Sequence, residues 1–148
     1  MHPPTAPVAR TPIRVSSGAR PYVLTAPSTP VAPKAARDFV RAVLRRTALA
    51  PLLDTAVLLT SEAVTRAHLH TPGSADILLR MLTAGHGLRI SVHDEAQARI
   101  PSPAPAAGEQ PDDYGLLLAD RLADDWGTAP FTGLPRSTSL WFELRLGQ

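Results

Sequence analysis

A chain of 148 residues is sized for one folded domain: it can bury a real core but is too short for a second unit. It carries no cysteine, which excludes disulfides, thiolate metal sites and a cysteine nucleophile, and fits the reducing cytoplasm in which we expect it. The net charge of +2 hides a segregation, because most basic side chains before Thr47 lack an acidic neighbour in sequence while Asp and Glu dominate afterwards.

Residues 1–18 combine Pro, Ala, Ser and Thr with little apolar periodicity, so the sequence predicts a disordered tail followed by one domain over 19–148. Pro3, Pro4, Pro7 and Pro12 stand where a signal peptide would place its apolar segment, and no later run is long enough to cross a bilayer. Tyr22-Val23-Leu24 reads as a short strand. Pro27, Pro30 and Pro33 bar its continuation and lead into a helix beginning near Pro33, a residue suited to the first helical turn. Phe39, Val40, Val43 and Leu44 give that helix an apolar stripe opposite Arg37, Arg41 and Arg45, with Lys34 and Arg46 nearby. A solvated face is the simpler reading of the arginines, and contact with an acidic partner or nucleic acid the sharper one. No aromatic residue shares the arginine face, which argues against single-stranded nucleic acid.

A second helix is predicted from about Pro51 to His70, carried by Leu52, Leu53, Ala56, Leu59, Ala63 and Ala67 and ended by Thr71-Pro72-Gly73. Ile77 to Leu82 and Leu88 to Val92 flank Gly85-His86-Gly87 as the arms of a hairpin. Glu95 to Asp112 has no period and is too long for an ordinary connection. A short helix over about Gly115 to Ala123 and strands near Trp126-Gly127-Thr128 and Ser139 to Leu146 complete the pattern. Helices on one face of a mixed, mainly antiparallel sheet make an α+β two-layer sandwich.

Five ordered segments carry a family resemblance that covers roughly residues 20 to 146. Ser61-Glu62-Ala63-Val64-Thr65-Arg66-Ala67-His68-Leu69-His70 resembles the "SELVTNAVRH" box of the anti-sigma regulatory factor and serine kinase family, within the histidine-kinase-like (GHKL) ATPase superfamily. Ser91-Val92-His93-Asp94 resembles the strand end whose Asp reads the adenine amino group, and Asp113-Tyr114-Gly115-Leu116-Leu117-Leu118 resembles "GRGLLLV". Leu122 to Gly127 resembles "LADRWG", and Ser139 to Leu144 resembles "TVWFEL". The resemblance implies a Bergerat-type α/β sandwich with a lid over Glu95 to Asp112. It also implies a kinase-like ATP site in which Glu62 acts as base, Asp94 reads adenine, and Gly115 and Leu116 lie at the phosphate-binding helix start. The partners the resemblance implies are a sigma factor or an anti-anti-sigma (STAS-type) antagonist, and it admits a homodimer.

Three departures fall on that site. Arg66 stands where the family's Asn holds Mg²⁺, and a guanidinium cannot ligate the metal although it can bind phosphate. Ala96 and Ala98 occupy a loop where glycines are expected, and Ala disfavours positive φ. Asp113 places a carboxylate at the phosphate cradle, a position that also suits a helix N-cap. Glu62 and Arg66, one turn apart, are expected to pair with each other. The expectation is an anti-sigma-type regulator acting by protein binding, with Mg²⁺ and ATP held weakly or not at all. An active serine kinase phosphorylating the antagonist is the alternative. His68 and His70 are two apart on a helix and diverge, which argues against a metal site, and Ser61 lacks partners for a hydrolase triad.

Overall fold

A computed structural model describes residues 13, 18–70, 75–94, 114–130 and 138–147. Gly18, at φ 86, takes the left-handed conformation that glycine adopts without cost and turns the chain into β1 (Arg20–Pro27). This strand extends well beyond the three residues expected from sequence. Its alternation is half hidden because every second side chain, from Pro21 to Pro27, faces solvent. The helix α1 (Ala32–Leu44) follows with Pro33 in its first turn. A 3₁₀ turn at Ala50–Leu52 feeds α2 (Leu53–His70), then come the hairpin strands β2 (Asp76–Ala84) and β3 (Gly87–Asp94). The chain closes with α3 (Tyr114–Leu122), β4 (Asp125–Pro130) and β5 (Thr138–Arg145).

The five strands lie in the order β1-β2-β3-β5-β4, and each of the four pairings is antiparallel. Register decides which residues share a face: Met81 sits across from Ile90, and Ile90 across from Phe142. All three are at most 1 % exposed, as period-2 alternation requires of the face that meets the helices. Ala32, Ala36, Val40 and Leu44 form the buried stripe of α1. Ala56, Ala63 and Ala67 do the same for α2, small side chains that let the helix approach the sheet closely. Truncating Phe142 to Ala at the centre of this layer would cost about 3–5 kcal/mol. The α+β two-layer sandwich is therefore present, with the described helices on one face.

One expectation changes. The basic stripe of α1 does have acidic company: Asp38 accepts from Lys34 Nζ at 2.7 Å and from Arg41 Nη1 at 3.4 Å. The i,i+4 and i,i+3 spacings place one carboxylate between two cations, and Lys34 beside Asp38 holds that carboxyl below its usual range. Ile13, inside the expected tail, is 1 % exposed, and its N–H donates to Glu143 Oε2 at 3.3 Å. The rest of residues 1–17, the Thr71-Pro72-Gly73 helix end, and the lid and loop over 95–113 lie outside the described residues.

Candidate functional site

The site is assembled around α2, whose buried face packs on the sheet while the next face presents Glu62 and Arg66, both half-buried, one turn apart. Helix α2 packs against both β3 and α3. Asp94 is the last residue of β3, and Gly115 and Leu116 lie in the first turn of α3. The three boxes separated in sequence therefore sit on elements that meet at one helix. The Asp94 and Leu116 side chains, and Ala96, Ala98 and Asp113, lie outside the described residues.

The expected Glu62–Arg66 ion pair is not formed. Among the described residues the ion pairs are Lys34–Asp38, Arg41–Asp38, Arg89–Glu143 and Arg145–Glu143. Spacing permits an i,i+4 pair but does not compel it, since the gain of about 0.2–0.5 kcal/mol is smaller than one rotamer's worth of competing packing. Arg66 instead has its Nε enclosed. Immediately before Glu62, the Ser61 hydroxyl accepts a hydrogen bond from Arg37 Nη1 at 2.8 Å, which ties α1 to α2 beside the carboxylate. One member of the α1 arginine stripe is thus turned inward to the site helix and is not free for a partner.

Chemically, Glu62 can accept a proton, and Arg66 can hold a phosphoryl oxygen. Mg²⁺ requires near-octahedral oxygen ligands. Beside Glu62 the helix offers a guanidinium, which has no lone pair to give. Among the described residues no three His, Asp or Glu side chains are grouped to hold a metal ion. Arg66 therefore adds no Mg²⁺ ligand beside Glu62.

Sequence reasoning missed two long-range constellations. Ser28, 2 % exposed, places Oγ 3.0 Å from His68 Nδ1, while its N–H donates to the Ala75 carbonyl at 3.0 Å. The end of β1 is thereby tied to the last turn of α2 and the approach to β2. On the opposite face of the sheet Glu143 is 1 % exposed and bridges Arg89, at 3.3 Å, and Arg145. Arg89 also lies 4.0 Å over the Trp141 ring, a cation–π arrangement. His93 is buried on that face too, where desolvation and then the charge of Arg80 push its imidazole down to about 4.

No described helix is long and apolar enough to cross a membrane. A family model described as "Histidine kinase-like ATPase domain" matches residues 26–130, a stretch that contains Glu62, Arg66, Asp94, Gly115 and Leu116. No curated protein matches the chain.

Proposed function

The chain belongs to the histidine kinase-like ATPase domain family, and from that premise we propose that it is a regulator of the anti-sigma type, acting by binding a protein partner through a scaffold whose nucleotide site has lost Mg²⁺ chemistry. Domains of this family in general bind ATP with Mg²⁺. The observation that carries the proposal is Arg66: a half-buried cation one turn from Glu62, on the helix face that should supply a metal ligand. The proposed partner is a sigma factor or its STAS-type antagonist. Exposed Arg41, Arg45 and Arg46 on and just beyond α1 supply a cationic surface for it, and the proposed compartment is the cytoplasm.

A second reading is favoured by one observation. Because no ion pair with Arg66 occupies Glu62, its carboxylate stays available as a base, so an active serine kinase acting on the antagonist is the competing proposal. Calorimetric titration with ATP and ADP, each with and without Mg²⁺, separates the two. The regulatory reading expects weak or no binding at millimolar nucleotide and no Mg²⁺ dependence; micromolar, Mg²⁺-dependent affinity would sink it. The double variant R66N/D113G should gain affinity for Mg²⁺-ATP, since it returns an oxygen ligand and removes a carboxylate. No gain would place the loss elsewhere in the pocket.

A further inference from the structure

Ile13 belongs to a proline-rich stretch without periodicity, yet it is 1 % exposed and lies outside the helix-side core. Its fixed point is Glu143, to which its N–H donates. Phe142 and Leu144 point into the helix-side core, so Glu143 between them stands on the outer face of the sheet. Register places Arg89 directly across from Glu143, and Leu82 across from Arg89. One carboxylate therefore receives two guanidinium groups and a backbone N–H while its side chain is only 2 % exposed. The described helices all lie on the other face, and Ile13 is the described residue that meets Glu143 from outside the sheet. Arg145 Nε and Nη1 are buried donors without a partner among the described residues. Peptide carbonyls would satisfy them.

A carboxylate taking a backbone N–H, spare donors suited to backbone carbonyls, and a buried β-branched side chain together make up the chemistry of peptide recognition. We propose that the outer face of the sheet around Glu143 is a binding site for a peptide segment bearing a β-branched apolar residue, and that Ile13 of this chain occupies it in cis. This goes beyond the α2 site and does not depend on nucleotide.

The test uses the full chain and a synthetic, fluorescently labelled peptide of residues 8–18. Ile13→Asp should lower Tm by about 5 °C or more, because it removes a buried side chain and sets a second carboxylate beside Glu143. Ile13→Val should melt as the parent does. The peptide should bind the Ile13→Asp chain saturably and raise its Tm, should fail to bind the parent, whose site is filled, and should lose binding when the peptide itself carries I13D. Should Ile13→Asp not fold, Ile13→Ala carries the same two readouts. An Asp or Ala chain that melts as the parent does overturns the proposal. So does a destabilised chain that neither binds the peptide nor recovers, since Ile13 would then be packing alone.

Discussion

His93 shows how one buried side chain sets a pH dependence for the whole fold. Its pKa falls from the ordinary 6.5 to about 4 because burial disfavours the imidazolium and Arg80 repels it. Between those values the unfolded chain binds the proton and the folded chain does not, so stability rises with pH across that window. The contribution is complete above pH 6.5 and is lost progressively as pH falls to 4, amounting to about 1–3 kcal/mol. His93→Leu should accordingly narrow the Tm difference between pH 7 and pH 4.5, read by circular dichroism. An unchanged difference would assign the acid loss to the carboxylates. The residues around Glu62 and Arg66 were readable from spacing, because four positions along a helix guarantee a shared face. The Ser28–His68 and Ile13–Glu143 contacts were not, since partners 40 and 130 positions apart leave no periodic trace. The same limit applies to the Glu62–Arg66 pair, where spacing gave a shared face but not a bond.

Helices α1 and α2 announced themselves through the 3.6-residue recurrence of Val40, Leu44, Ala56 and Ala63, and the β2–β3 hairpin through Gly85 and Gly87. Insertion of β5 between β3 and β4 had no such signal, because strand order follows from which apolar faces match in three dimensions. Gly87 marks that insertion. A Cβ there would collide with the Leu144 carbonyl oxygen, a backbone atom that cannot swing aside. Gly87→Ala should therefore cost about 1–3 kcal/mol by forcing β3 and β5 apart, measurable as a lower urea midpoint. Gly85→Ala, where no atom lies within 4 Å, is the control expected to be mild. For α1 the structure divides the arginines: Arg37 is held by Ser61 and Arg41 by Asp38, while Arg45 and Arg46 are exposed just past Leu44. Reversing Arg41 and Arg45 to Glu should slow partner association several-fold, more so at low salt, with the melting curve unchanged. Surface-plasmon kinetics on the partner recovered by pull-down, at two ionic strengths, reads this. Equal rates in both would move the interface off α1.

The molecule is a sheet with different company on its two sides: an apolar helix layer on one, and the Arg89–Glu143–Arg145 cluster with Ile13 on the other. Its two tryptophans report on both. Trp126 pairs with Phe142 and packs against the helix-side core, with Nε1 donating to Asp120 Oδ1 at 3.2 Å, whereas Trp141 lies under Arg89 on the outer face. The adjacent strands β4 and β5 carry both indoles, and Gly127, across from Trp141, brings the strand backbone to the outer ring. Because the same strands bound both layers, breaking either face removes the support of the other, and the chain should unfold in one cooperative step. The full-length variants Trp126→Phe and Trp141→Phe each leave one reporter, and their fluorescence melts should coincide with the circular dichroism melt of the same variant. If the Trp141 signal is lost several degrees before the ellipticity, the outer face opens on its own; if Trp126 leads, the helix layer is the weaker one. Coincidence in both requires that the outer cluster be part of the cooperative unit, although it shares no side chain with the helix-side core.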